Sequence, residues 1–149
     1  MPSEFEQRAR FAGVENLLHT YGMQPTSGLV LVVEDEDPVR RYTVGLLVEL
    51  GFTVLQATDG SQAIDIVKER HHELSAMLLD HSMPGMSGED VLAELEQAGL
   101  RIPVVLTSGH DVADLRRRFA GHVVAGYLQK PFRIETLDVT VRQAIARSV

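Results

Sequence analysis

Five short apolar runs, each followed by a helical pattern, restrict the fold of this chain more than any other feature of its sequence. The runs are rich in Val and Leu, and residues typical of turns separate them from the helical patterns. The strands predicted from these runs span residues 29–33, 52–56, 74–79, 103–107 and 123–128. Because the strands are apolar nearly end to end, we expect both of their faces to be buried, as in a parallel sheet. The alternation therefore predicts an α/β fold with a sheet between two layers of helices.

Helix signals follow the predicted strands. Pro38 suits the first turn of a helix, where its missing N–H is not needed. Ser87 and Asp90 have the spacing of a capped helix start. A polar helix is predicted over 111–120, and apolar residues recur at helical spacing over 134–146.

Composition excludes several classes of protein. The 149 residues carry a formal net charge of −7 and include no cysteine. Such a chain lacks the concentrated basic face of a nucleic-acid-binding protein, and it has neither disulfides nor thiolate metal sites. Apolar runs fall short of the roughly 20 residues of a membrane span, and the first residues lack the apolar segment of a secretory signal. We therefore expect a cytoplasmic protein that binds neither nucleic acid nor membrane.

The chain divides into two parts of unequal size. Residues 28–149 are predicted to form one domain. Residues 1–27 fall outside the alternation and are interpreted as an N-terminal extension or linker. The spacing of Phe5, Ala9 and Ala12 is compatible with a short amphipathic helix there, and a solvated leader is the alternative.

Polar side chains collect where the predicted strands end. In a parallel sheet the carboxyl ends of the strands lie at one edge, and function concentrates there. The residues that follow or end these strands are Glu34, Asp35, Glu36, Asp80, Thr107, Ser108 and Lys130. Carboxylates close together repel one another unless a cation neutralises them, and oxygen ligands suit Mg²⁺ or Mn²⁺. The edge therefore predicts a site that handles phosphate.

Three of these side chains can be given roles from chemistry alone. Asp80 is the best candidate nucleophile, because a carboxylate can accept a phosphoryl group and form an acyl phosphate. Lys130 would neutralise phosphate oxygens as a point charge, and Thr107 would donate its hydroxyl to another oxygen. Phosphoryl transfer depends mainly on positioning and electrostatic stabilisation, so this set needs no separate general base.

Four short segments together resemble the receiver domain of bacterial two-component response regulators. They are VVEDED at 32–37, LLDHSMPGMSG at 78–88, VLTSG at 105–109 and LQKPF at 128–132. The resemblance covers about residues 28–147. It implies a flavodoxin-like (βα)5 fold with the parallel strand order 2-1-3-4-5. It also implies a signalling switch rather than an enzyme, which a histidine kinase or phosphotransfer protein phosphorylates.

The resemblance implies a role for each matching residue. Asp80 is the phosphoacceptor, and Asp35 and the backbone carbonyl of Ser82 bind Mg²⁺ with it. Glu34 stands where aspartate is commonest in the family and would act through water. Thr107 and Tyr127 form the switch pair, Lys130 binds phosphate, and Pro131 follows Lys130 through a cis peptide bond. The output face would comprise the fourth helix, the fifth strand and the fifth helix. The arginines at 116–118 are interpreted from the sequence as a solvated face of the fourth helix, with a partner-docking patch as the alternative.

Other functions remain open from the sequence. A flavodoxin-type binding module would need a phosphate-binding loop where this chain has Glu34–Asp37. An aspartyl-phosphate phosphatase would use Asp35 and Asp37 as a D-x-D pair, and would leave Asp80, Thr107 and Lys130 unexplained. A receiver fold could also act as an interaction module without phosphorylation. We expect a monomer or weak dimer, either free-standing or the C-terminal receiver of a hybrid histidine kinase.

Overall fold

A computed structural model describes residues 28–147, and the predicted N-terminal extension lies outside them. These residues form a five-stranded parallel sheet and five helices in strict alternation. In chain order the elements are β1 Leu29–Val33, α1 Asp37–Glu49, β2 Thr53–Ala57, α2 Gly60–Arg70, β3 Leu74–Asp80, α3 Gly88–Gln97, β4 Val104–Ser108, α4 Val112–Arg118, β5 Gly126–Gln129 and α5 Ile134–Arg147. The sheet order is β2-β1-β3-β4-β5, which confirms the predicted flavodoxin-like topology.

The register of the sheet brings the strand ends to one edge. Val33, the last residue of β1, pairs with Ala57 and Leu79 on its two neighbouring strands. One residue further along, Asp80 at the end of β3 pairs with Thr107 of β4. The side chains that follow β1, β3, β4 and β5 therefore surround one point at the carboxyl edge.

Two apolar cores lie on the two faces of the sheet. Alternation along β3 sends Met77 and Leu79 to one face and Leu78 to the other. The first core is completed by α2, α3 and α4, and the second by α1 and α5. Each fully buried leucine stabilises the fold by about 1.5–3 kcal/mol relative to exposure, so these cores hold the strands rigid beneath the edge.

Capping residues fix where the helices begin. Ser87 and Asp90 form a reciprocal capping box at the start of α3, as their spacing predicts. Asp59 accepts a hydrogen bond from the backbone N–H of Gln62, 2.8 Å away, and so begins α2. Such caps contribute about 1 kcal/mol each. None of the helices within residues 28–147 combines the length and apolar character needed to cross a membrane.

Several element boundaries differ from the prediction, most of all at β5. This strand begins at Gly126, whereas the apolar run predicted a start at Val123. Val123 is 78% exposed and directly follows a turn in which the His122 N–H donates to the Phe119 carbonyl. The chain reaches the sheet edge at Ala125, whose N–H donates to Val104 O.

The other boundaries move by one or two residues. Asp80 extends β3 by one residue, whereas β4 keeps its predicted length and is shifted by one residue, to Val104–Ser108. α4 is shorter than predicted, because Asp111 caps it and Phe119 ends it.

Candidate functional site

Three carboxylates meet at the carboxyl edge of the sheet. Glu34 and Asp35 follow β1, and Asp80 ends β3 on the adjacent strand. Carboxylate oxygens of the three residues lie within 4.8 Å of one another. Glu34 and Asp80 are each only 4% exposed, and Asp35 is half-buried. Water therefore screens their mutual repulsion poorly, and the cluster needs positive charge.

Lys130 supplies positive charge to this cluster. Its ammonium group donates a hydrogen bond to Glu34 Oε1 and lies 3.4 Å from Asp80 Oδ1. Burial disfavours the charged form of Lys130, but the hydrogen bond to Glu34 and the charge of Asp80 outweigh burial and raise its pKa. Lys130 follows β5, and its backbone N–H donates to Ser108 O at 2.7 Å, which ties the lysine to the end of β4.

Glu34 is held by contacts on both carboxylate oxygens. Lys130 bonds to one oxygen, and the Glu36 N–H donates to the other at 3.3 Å. Arg40, in the first turns of α1, donates to the Glu34 backbone carbonyl at 3.0 Å. Arg40 was not predicted as a site residue, although its position in the first turns of the helix that follows the acidic loop was an available signal.

Asp80 is fixed by the loop that follows it. The backbone N–H of Ser82 donates to Asp80 Oδ1 at 3.3 Å, and Ser82 is exposed at the mouth of the site. Gly88 brings the start of α3 against this loop: a Cβ there would lie 2.8 Å from His81 Cα and 3.1 Å from Asp80 O. The close approach leaves no room for a side chain at position 88.

The end of β4 places two hydroxyl residues beside Asp80. Thr107 is its register partner and is 5% exposed, and the Thr107 carbonyl accepts from the His81 N–H at 3.1 Å. Ser108 is fully buried, and its hydroxyl accepts from the His110 N–H at 2.9 Å. Thr107 is therefore the hydroxyl residue in register with the carboxylate cluster.

Two further predicted residues, Tyr127 and Pro131, precede and follow Lys130 along the chain. Tyr127 is half-buried on β5, with the guanidinium of Arg116 4.5 Å from its ring centroid. The Lys130–Pro131 peptide bond is cis, which confirms that prediction. An apolar cavity of about 410 Å³ lies between α1 and the segment from Lys130 to Phe132 that precedes α5, and Tyr42 and Phe132 line it.

The donor set of the site suits a hard divalent cation. Every ligand group in the cluster is a carboxylate oxygen, which favours Mg²⁺ or Mn²⁺ over metals that prefer nitrogen or sulfur. His81 does not belong to the cluster: its ring packs edge-on against Phe119, with centroids 6.5 Å apart. The arrangement can bind a cation and, beside it, a group rich in negative oxygens.

Comparison with known proteins gives one consistent family. The family model described as the response regulator receiver domain matches residues 30–142. The sensor kinase CckA of Brucella abortus is 34% identical over 121 residues, which is 81% of this chain and 13% of the kinase. The two-component response regulator PhoP of Pseudomonas aeruginosa is 34% identical over 120 residues, which is 80% of this chain and 52% of that regulator. The chain thus spans about half of one relative and much less of the other.

Solved structures agree on the fold. A response regulator receiver domain protein from Clostridium thermocellum superposes with a TM-score of 0.74 at 26% identity, covering 81% of this chain and 96% of that protein. A chemotaxis protein of Vibrio cholerae gives a TM-score of 0.71 at 24% identity, covering 78% of this chain and 98% of that one. At 24% identity, the similarity to the Vibrio cholerae protein concerns the fold alone.

Proposed function

The chain belongs to the response regulator receiver domain family, and we propose that it is a signalling switch controlled by phosphorylation of Asp80. The observation that carries the proposal is the environment of the Asp80 carboxylate. It is buried, clustered with Glu34 and Asp35, and 3.4 Å from the ammonium nitrogen of Lys130. Such a carboxylate is suited to accept a phosphoryl group once added positive charge offsets the acids around it.

In the proposed reaction an oxygen of Asp80 attacks the phosphorus of a phosphohistidine carried by a histidine kinase or phosphotransfer protein. The oxygen–phosphorus bond forms as the nitrogen–phosphorus bond breaks, and the electron pair of the broken bond returns to the imidazole. The product is an acyl phosphate on Asp80, which water later hydrolyses to restore the carboxylate. The chain acts on itself in both steps and turns over no separate substrate.

Asp35, Asp80 and the backbone carbonyl of Ser82 would hold a divalent ion directly, and Glu34 would act through water. When bound, Mg²⁺ or Mn²⁺ supplies positive charge to the phosphoryl oxygens. Lys130 gives up its hydrogen bond to Glu34 and pairs with a phosphoryl oxygen. Its raised pKa keeps it charged for this role at neutral pH.

Thr107 and Tyr127 would convert phosphorylation of Asp80 into a conformational change of the face formed by α4, β5 and α5. The Thr107 hydroxyl donates to a second phosphoryl oxygen and moves inward, which frees space for the ring of Tyr127 to turn inward. The population then shifts towards a second arrangement of the face formed by α4, β5 and α5, which an output protein recognises.

Incubation with Mg²⁺ and acetyl phosphate, followed by intact-mass measurement, tests the proposal. We expect a gain of one phosphoryl group that requires the divalent ion and disappears in Asp80→Asn. The matched control is Asp65→Asn, which changes an exposed acid of α2 and leaves the gain intact. A wild-type chain that gains no mass would favour the interaction module without phosphorylation. A gain that survives Asp80→Asn and disappears in Asp35→Asn would favour the phosphatase.

A further inference from the structure

The acidic loop, Glu34–Glu36, joins β1 to α1, and α1 begins without a side-chain cap. Its N-cap residue, Glu36, makes no capping hydrogen bond through its side chain. By contrast, α2, α3 and α4 each begin at an Asp or Ser whose side chain accepts a backbone N–H. A side-chain cap fixes how the chain enters a helix and contributes about 1 kcal/mol. The acidic loop and the start of α1 therefore depend on other contacts for their position.

Arg40 supplies these contacts through all three nitrogens of its guanidinium group. Its Nη1 donates to the Glu34 carbonyl at 3.0 Å, and its Nε donates to Gln56 Oε1 at 3.2 Å. Its Nη2 pairs with the Asp37 carboxylate. The acceptors belong to the acidic loop, to β2 and to the first residue of α1, so one side chain joins three elements. The Arg40 side chain is only 11% exposed, and its rigid fork serves several acceptors at once.

The Asp35 carboxylate depends on the backbone of the acidic loop for its position. It is half-buried and has no hydrogen-bond or ion-pair partner among residues 28–147. Glu34 and Asp80 differ from it, because Lys130 contacts both of them. Contacts behind a ligand that fix its position in advance lower the cost of binding a metal ion. Arg40, which holds the loop by the Glu34 carbonyl, is placed to have this effect on Asp35.

We propose that Arg40 is a positioning residue that raises the affinity of the carboxylate cluster for Mg²⁺ or Mn²⁺. The inference rests on the proposed function, in which Asp35 binds the ion directly. The charge of Arg40 acts in the opposite direction, because a guanidinium next to the site repels a divalent cation. Loss of that charge alone would therefore strengthen binding of the ion, whereas loss of the fork weakens it. The sign of the change in affinity separates the two effects.

Titration of the isotope-labelled chain with Mg²⁺, followed by backbone NMR without a phosphodonor, tests the role of Arg40. We expect Arg40→Gln to weaken Mg²⁺ binding about tenfold, the usual cost of losing a contact behind a metal ligand. Arg40→Lys keeps the charge and removes the fork, so it should weaken binding to a similar extent. The spectra report on the folded chain, so a loss of stability does not enter the affinity.

Arg41→Gln is the matched control for this titration. It removes the same charge from the next residue of α1, which is exposed, and should change the Mg²⁺ affinity by less than about twofold. Tighter binding in Arg40→Gln would show that the charge of Arg40 outweighs its positioning effect. That result, or wild-type affinity in Arg40→Lys, would overturn the proposal.

Phosphorylation kinetics separate a role in metal binding from a role in phosphoryl transfer. Intact mass is followed over time with acetyl phosphate at a series of Mg²⁺ concentrations. The Mg²⁺ concentration that gives half the maximal rate should rise about tenfold in Arg40→Gln, while the maximal rate stays within about twofold of the wild type. A lower maximal rate at an unchanged half-saturating concentration would overturn the proposal.

Failure of this proposal is distinguishable from failure of the proposed function. A wild-type chain that binds Mg²⁺ but gains no phosphoryl group would overturn the proposed function, and the NMR titration would still decide the role of Arg40. A wild-type chain that gains the phosphoryl group, with Mg²⁺ affinities equal in wild type and both Arg40 variants, would overturn the role of Arg40 alone. A wild-type chain that binds no Mg²⁺ would overturn both.

Discussion

At the scale of single residues, Lys130 provides the positive charge that offsets the buried acids of the site. Its ammonium contacts two buried acids at once, Glu34 by a hydrogen bond and Asp80 at 3.4 Å. A buried carboxylate without a counter-charge is strongly destabilising, and here two would remain. Lys130 therefore stands in for the positive charge that a bound cation would otherwise provide.

Lys130→Met keeps most of the side-chain stem and removes the charge. We expect the free energy of unfolding, measured by urea denaturation without divalent ions, to fall by about 1–3 kcal/mol, because Lys130 is partly exposed and the pair is not fully buried. Mg²⁺ should then stabilise the variant more than the wild type, because the ion has no lysine charge to compete with.

A second substitution provides the control for this prediction. Glu34→Gln in the Lys130→Met background removes one of the two unpaired acids, so it should recover part of the lost stability. Equal stabilisation of wild type and Lys130→Met by Mg²⁺ would contradict the assigned role of Lys130.

The residues of the site were predictable, but their partners were not. Asp35, Asp80 and Lys130 could be expected to converge because each follows a strand of one parallel sheet. The pairing of Lys130 with Glu34 joins positions 96 residues apart, and no pattern along the chain indicates which acid the lysine contacts. Likewise, no pattern along the chain indicates that Arg116 lies over Tyr127, since that contact depends on how α4 packs beside β5.

At the scale of elements, the start of α3 sets the geometry around Asp80. Gly88 begins this helix and approaches the backbone of His81 and Asp80 more closely than any side chain allows. The atoms in the way belong to the backbone, so they cannot rotate aside as a flexible side chain could. The hydrogen bond from the Ser82 N–H to Asp80 lies in the loop that would have to move.

Gly88→Ala should therefore destabilise the chain and slow its phosphorylation. We expect a loss of about 1–3 kcal/mol in the free energy of unfolding, as for other overpacked sites, and a slower mass gain from acetyl phosphate. Gly45→Ala is the matched control, because nothing lies within 4 Å of a Cβ at this exposed position of α1. It should stabilise the chain by about 0.5–1 kcal/mol. A Gly88→Ala variant as stable and as rapidly phosphorylated as the wild type would disprove the steric argument.

Element boundaries were predictable where a local signal exists. The capping box of Ser87 and Asp90 is encoded by residue type and spacing alone, and it fixes the start of α3. The start of β5 has no such signal, because Val123 has the β-branched side chain of a strand residue. Whether it joins the sheet depends on the path of the chain after α4, which leaves Val123 largely exposed.

At the scale of the whole molecule, the alternation of apolar runs was sufficient for a parallel sheet covered on both faces. It does not determine the order of the strands, because right-handed crossovers permit several orders. The order β2-β1-β3-β4-β5 was expected from the motif resemblance, and the structure confirms it. The same packing that forms the two cores also buries His81 between the site and α4, an effect with no sign in the sequence.

His81 couples the stability of the whole fold to pH. Its Nδ1 is buried without a hydrogen-bond partner among the described residues, and its ring packs against Phe119. Burial, followed by the positive charges of Arg118 and His110, lowers the pKa of His81 below the ordinary 6.5. Between the lowered value and 6.5 the unfolded chain binds more protons at this position than the folded chain does. The contribution of His81 to stability is therefore fully present above 6.5 and declines as the pH falls towards the lowered pKa.

His81→Phe replaces the imidazole with an apolar ring of similar shape and should remove this pH dependence. Urea unfolding at a series of pH values from neutral to mildly acidic should show stability falling more steeply in the wild type than in the variant, since the phenyl ring takes up no proton. Both chains carry the same carboxylates and differ only at position 81, so the difference between the two curves reports on His81. His110→Phe, at an exposed ring 6.0 Å from His81, should keep most of the wild-type slope. If wild type and His81→Phe lose stability in parallel, the fold tolerates a charged imidazole at this position and the coupling is absent.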